Sequence, residues 1–163
     1  MQVEQIKELY DYDHWANERL WQAIVGLSQD QLNMDMHNGL GDMLDTLLHM
    51  INAMRLWRIR WQGGTITNML TRADFPTLQS MRTRWQEEEE QVHHLLTTLH
   101  DEDIIREFRY VRTTTSQAYI QPLWKTMHYL TNHQTQHRSE IAMQLTAFNQ
   151  SPGELSMNFF FDQ

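Results

Sequence analysis

The sequence predicts an all-α fold, a bundle of four long helices, from three observations. Apolar residues recur at three- and four-residue intervals in four separate segments, the pattern of amphipathic helices. Glycine, proline and asparagine interrupt that pattern between the segments. The 163 residues are 40% hydrophobic and include no cysteine, so a single domain over residues 1–163 with an ordinary core is expected, without disulfide staples.

The first helix runs from Val3 to about Leu27, with Ile6, Leu9, Tyr10, Ala16, Leu20, Ile24 and Leu27 on one stripe. Asp13 and Asn17 fall inside that stripe. Buried without partners they would cost about 1–3 kcal/mol each, so they belong either to a hydrogen-bond network between helices or to the wall of a polar site. Ser28 to Asp42 reads as a connection, broken by Asn38, Gly39 and Gly41, with Asp42 as N-cap of the second helix. That helix extends to Gln62 with Leu44, Leu47, Leu48, Ile51 and Met54 on its apolar face, and Gly63-Gly64 ends it. His49 lies off this face, grouped at 100° per residue with Asp45, Asn52 and Leu56. Such a strip faces either bulk water or a wet pocket, and periodicity does not choose.

Thr65 to Pro76 is a loop, and a third helix from Thr77 to Leu99 follows Leu78, Met81, Trp85, Val92, Leu95, Leu96 and Leu99. Its four carboxylates Glu87 to Glu90 are expected to be mostly solvated. His93 and His94, adjacent and so diverging by about 100°, make a poor chelating pair. From Asp101 to Gln121 the helical pattern fails. Phe108, Tyr110 and Val111, then Tyr119 and Ile120, flank the polar Thr113 to Gln117, which predicts a long irregular crossover or hairpin before the last long helix.

Pro122 suits the first turn of that helix, which continues to about Asn149 on the stripe Leu123, Met127, Leu130, His137, Ile141, Leu145 and Phe148. His137 stands where an apolar residue belongs, and His133 is one turn earlier at the stripe's edge. Histidines four apart on a helix can reach one cation. Two inward imidazoles need a partner, and a metal ion serves both. The apolar tail, with Leu155, Met157 and Phe159 to Phe161, is expected to dock on the helices or on a second subunit.

A formal net charge of -8 argues against nucleic acid as the partner, since that affinity comes from Lys and Arg on phosphates. Arg55, Arg58 and Arg60 read as a solvated helix end whose cations suit the C-terminal dipole. The first ten residues lack a signal-peptide pattern, and no run reaches the roughly 20 apolar residues of a membrane span. No membrane association and a cytoplasmic location are the expectations.

Tyr12-Asp13-His14-Trp15-Ala16-Asn17-Glu18-Arg19-Leu20, Leu47-Leu48-His49-Met50 and Asn132-His133-Gln134-Thr135-Gln136-His137-Arg138 together resemble the DinB-like (YfiT-like) superfamily over nearly the whole chain. The resemblance implies an up-down-down-up four-helix bundle, commonly a homodimer, with a divalent metal on His49, His133 and His137. Where relatives often carry a further histidine one turn before the pair, this chain has Tyr129, with His128 beside it.

Three neutral imidazoles leave positions open for water or a small-molecule substrate, the pattern of a catalytic metal. Zn or Ni is expected, with Fe, Cu and Mn as alternatives. Asp13, Asn17, Asn52 and Glu140 are candidates to orient the ligands or handle protons, and no catalytic acid or base is assigned. Characterised relatives with similar motifs include thiol-dependent S-transferases and an isomerase. That implies a metal-dependent enzyme using a low-molecular-weight thiol, and the absence of cysteine agrees with a thiol supplied from outside. The alternatives are a metal-dependent hydrolase and a non-enzymatic stress-associated metal-binding or interaction protein.

Overall fold

A computed structural model describes residues 2–112 and 115–163. Of the polar stretch Thr113 to Gln117, Thr113 and Thr114 lie outside the described residues. The chain is mostly helical: α1 (Val3–Ile24), α2 (Gln29–Leu32), α3 (Met43–Trp61), α4 (Leu78–Thr97), α5 (Asp101–Ile105), α6 (Leu123–Ala147) and α7 (Met157–Phe161). One antiparallel pair, β1 (Glu107–Val111) and β2 (Ala118–Pro122), sits between α5 and α6 with Tyr110 opposite Tyr119.

Local chemistry sets the helix ends. Asp42 accepts from the Asp45 amide at 2.8 Å and Thr77 from the Ser80 amide at 3.0 Å, each capping the helix that follows. Gly63, at φ 79°, takes the left-handed turn after α3 that only glycine adopts without strain. α1 and α3 start within a residue of expectation, and α1 stops at Ile24 rather than Leu27. The connection after α1 contains α2, because Ser28 caps it and only four residues follow.

α1 packs against α4 and α6, and α3 against the same two. Side chains give the directions. Tyr10 donates to the Met127 carbonyl at 3.1 Å and Asn17 meets Arg138 at 2.9 Å, so α1 and α6 run the same way. Trp61 donates to Thr126 at 2.9 Å while Gln134 donates to the Met50 carbonyl at 3.1 Å, so α3 runs opposite to α6. The pairs Glu18 with Arg82 and Asp11 with His93 set α4 opposite to α1. The core between these helices includes Ile6, Leu47, Ile51, Leu130 and Ile141, with Trp21 and Trp85 edge to face at 5.6 Å.

Two expectations are corrected here. Glu88 and Glu89 are buried, not solvated. Glu88 accepts from both Arg58 and Arg84, and Glu89 from His14 and Asn17. Arg58 is correspondingly buried rather than part of a solvated helix end. Arg60 leans over Trp57 and donates to the Val111 carbonyl. Arg58 on α3 and Glu88 on α4 face one another across the packing surface, a pairing that neither helix's own pattern contains. The crossover contains the predicted hairpin, preceded by the one-turn α5 that acidic residues Asp101, Glu102 and Asp103 favour at its N-terminus. The tail docks on α1: Tyr12 donates to the Leu155 carbonyl at 2.8 Å, and Phe160 packs on Tyr12 and Trp15.

The His14 contact has a pH signature. The hydrogen bond to Glu89 raises the His14 pKa against a smaller opposing effect of burial. A raised folded-state pKa contributes stability that is fully present below the unfolded value near 6.5 and lost as pH rises through the folded value. His14 is half exposed, so the effect is small. Urea unfolding across that window is expected to show a decline with rising pH that His14→Gln flattens.

Candidate metal centre

α3 and α6 bring three imidazoles together. Being antiparallel, they set His49, near the start of α3, beside the middle of α6, where His133 and His137 occupy successive turns. The ring centroids of His49, His133 and His137 are 4.6–4.9 Å apart, and one nitrogen from each lies within 4.8 Å of the others. His137 is buried and His133 partly so. His49, which periodicity left between solvent and pocket, turns toward α6.

The Nε2 atoms of His49 and His133 are 2.9 Å apart. With metal–nitrogen bonds of about 2.0–2.1 Å, two imidazoles at a right angle would stand about 2.9 Å apart and two at the tetrahedral angle about 3.4 Å. The spacing therefore fits adjacent ligands on one ion. Burial, reinforced by His137 and His49, lowers the His133 pKa to about 4. Burial likewise lowers that of His49, with His137 adding to it. Both rings are neutral at pH 7 and hold a lone pair for a cation.

Glu140 fixes the third ring. His137 Nδ1 donates to Glu140 Oε2 at 2.9 Å, which leaves Nε2 as the free lone pair. Asn38 donates to the same carboxylate oxygen at 3.0 Å and to Thr46 at 3.0 Å, tying the connection before α3 to α6. Burial opposes the Glu140 charge, but the hydrogen bonds from His137 and Asn38 hold its pKa below the ordinary carboxylate value. His133 Nδ1 is buried with no hydrogen-bond partner among the described residues. Its ring is instead oriented by packing, with Tyr129 on one side at 5.9 Å.

Of the other candidates, only Glu140 touches a histidine of the cluster. Asn52 exchanges two 2.9 Å hydrogen bonds with the Leu70 backbone, pinning the loop before α4. Asp13 and Asn17 belong to a network with Arg138 and Glu89. Arg138 Nη1 donates to Asp13 at 2.5 Å and to Asn17 at 2.9 Å, and Asn17 donates to Glu89 at 2.9 Å. Burial raises the Asp13 pKa, with Arg138 pulling it back. Sequence reasoning missed Arg138 and Asn38. An acid inside the apolar stripe of α1 was a signal that a buried cation must face it; nothing marked Asn38 beyond its role as a helix breaker.

Replacing Glu140 removes the acceptor that orients His137. Glu140→Ala is expected to weaken divalent-metal affinity about 10–100-fold, measured by competition with a chromophoric chelator, and Glu140→Gln, which can still accept, should lose less.

A cleft of about 690 Å³ opens beside His49 and His133, walled by Trp57, Tyr129 and the hairpin residues Tyr110 and Tyr119. A ligand of drug-like size fits such a volume. His49 and His133 thus line the cleft, and with the buried His137 behind them they form a donor set suited to a borderline divalent cation with sites left for a small molecule. Compared with known families, residues 1–148 match the model of the DinB family. No curated protein matches the chain.

Proposed function

The chain belongs to the DinB family, and on that premise we propose that it is a metal-dependent enzyme whose divalent cation, Zn or Ni, is held by His49, His133 and His137. The convergence of three imidazole nitrogens, two of them on the wall of an open cleft, carries this reading. A structural metal site would be closed by a fourth protein ligand; among the described residues no further His, Asp or Glu joins the cluster.

The fold proposed with it is an up-down-down-up four-helix bundle of α1, α3, α4 and α6. The parallel pairing of α1 with α6, and the antiparallel pairings of α3 with α6 and α4 with α1, support that arrangement. A bound cation would supply Lewis acidity toward a substrate oxygen or sulfur. The chain's residues hold and shape the site. Glu140 keeps His137 in one tautomer, Tyr129 and Trp57 flank the opening, and Asn52 holds the loop that carries Met69 into the cleft wall.

The reaction class proposed is transfer to, or isomerisation assisted by, an external low-molecular-weight thiol. The chain has no cysteine of its own, so sulfur chemistry here requires a thiol substrate. A thermal-shift series on metal-loaded protein with glutathione, bacillithiol and mycothiol tests it. An upward shift with one thiol that disappears on metal removal is expected; no response to any of the three would sink the thiol reading and leave a hydrolase or a non-enzymatic metal-binding protein.

A further inference from the structure

The chain carries an excess of eight negative charges, yet the cleft beside the histidines is lined by Arg60, Arg112 and Lys125 and by no carboxylate among the described residues. That is a local reversal of sign. A second cleft, of about 600 Å³ and formed by α1 and α4, is lined by Asp11, Glu18, Glu89 and Glu90 together with His14 and His93.

Arg60 and Arg112 are held against aromatic rings. Arg60 lies over the Trp57 ring at 5.1 Å and donates to the Val111 carbonyl at 2.5 Å. The Arg112 guanidinium lies over Tyr119 at 4.8 Å. Stacked guanidinium groups keep their N–H edges free for an oxyanion and lose little entropy when they bind one. Lys125 is exposed on the first turn of α6.

The wall also carries aromatic rings. Tyr110 stacks with Tyr119 at 5.6 Å and meets Trp57 edge to face at 5.0 Å. Such surfaces take a planar or unsaturated body, while charged groups at one end fix its orientation. His49 and His133 mark the opposite requirement, a donor atom for the cation.

We propose that this cleft binds a small molecule with a flat apolar body and an anionic oxygen group, carboxylate or phosphate, held by Arg112 and Lys125 with Arg60 behind them. The reacting end of that molecule is placed at the histidines by the metal-dependent reading above, on which the assignment rests in that respect. Arg112 and Lys125 are then specificity-determining residues for the anionic end and take no part in holding metal. A neutral molecule of the same shape would gain only the aromatic contacts.

Calorimetric titration of 3-phenylpropionate, phenyl phosphate and 3-phenylpropionamide tests this, on Zn-loaded and metal-free protein and on the double variant Arg112→Gln/Lys125→Gln. Both substituted residues project into the cleft wall, so the fold should survive, and circular dichroism with zinc stoichiometry checks it. At least one anion is expected to bind the wild type about tenfold or more tighter than the amide, with and without zinc. The double variant should lose that preference while its affinity for the amide stays the same. The tighter anion identifies the group recognised. Equal binding of anions and amide, no binding of any of the three at millimolar concentration, or an anion preference that survives in the double variant would overturn the proposal. The two readings fail separately. Stoichiometric zinc with no anion preference removes only the cleft assignment, and an anion preference in a protein that binds no zinc removes only the metal centre.

Discussion

Replacing His49 by alanine is expected to strip stoichiometric divalent metal from the protein while leaving its helical content unchanged. His49 is partly open to solvent and its nearest polar neighbour is His133 Nε2, so its loss leaves no large cavity in the core. Four-ligand zinc sites contribute about 10–16 kcal/mol in all, which puts about 2.5–4 kcal/mol, roughly 70- to 800-fold in affinity, on each ligand. His137→Ala should do the same. His94, exposed on α4 and outside the cluster, is the control. Metal analysis of protein made without a polyhistidine tag reads all three variants, and metal retained at full stoichiometry by His49→Ala would refute the three-ligand site.

Removing the buried cation of the other polar cluster should have the largest effect on stability. Arg138 is 2% exposed and its partner Asp13 is 6% exposed, and Arg138 also bonds Asn17 and Thr135. Arg138→Met leaves the Asp13 carboxylate beside Glu89 with no cation in contact, and a loss of about 3–5 kcal/mol of unfolding free energy is expected. Asp13→Leu alone should cost a similar amount, and the double variant far less than the sum, because the two changes remove one shared interaction. Urea denaturation gives the numbers. Additive losses, or a loss under about 1 kcal/mol for Arg138→Met, would mean that the Arg138–Asp13 pair does not hold α1 to α6.

The helices were legible because each carries its own signal. Ile6, Leu20 and Ile24 on α1 and Leu130, Ile141 and Leu145 on α6 recur at helical spacing and are buried as that spacing requires. The caps Asp42 and Thr77 and the glycine after α3 are local, and local chemistry is readable from a single chain. His137 was visible as a polar residue in an apolar stripe, and it is buried. His49 was not: its neighbours at helical spacing are Asp45, Asn52 and Leu56, and only the resemblance of Leu47 to Met50 to a known motif turned it toward the pair.

Cross-helix pairing accounts for what the sequence concealed. Glu88 looks like one of four solvated acids until α3 places Arg58 against it at 2.8 Å. For Asp13 and Asn17 the pattern of α1 allows either a network or a site wall. The structure joins both to Arg138, whose side chain is carried to the α1 face while His137, the preceding residue, faces α3. Adjacent residues on a helix diverge by about 100°, so a metal-site residue and a core cation can be neighbours in sequence and serve different surfaces.

X-ray absorption at the edge of the bound metal tests the centre most directly. With zinc or nickel added in equimolar amount, the spectrum is expected to show three imidazole nitrogens at about 2.0–2.1 Å, the remaining scatterers being light atoms from solvent, and His49→Ala, which no longer holds the metal at stoichiometry, should lose that three-imidazole signature. A spectrum fitted by no more than one imidazole, or unchanged by His49→Ala, would contradict the three-histidine centre.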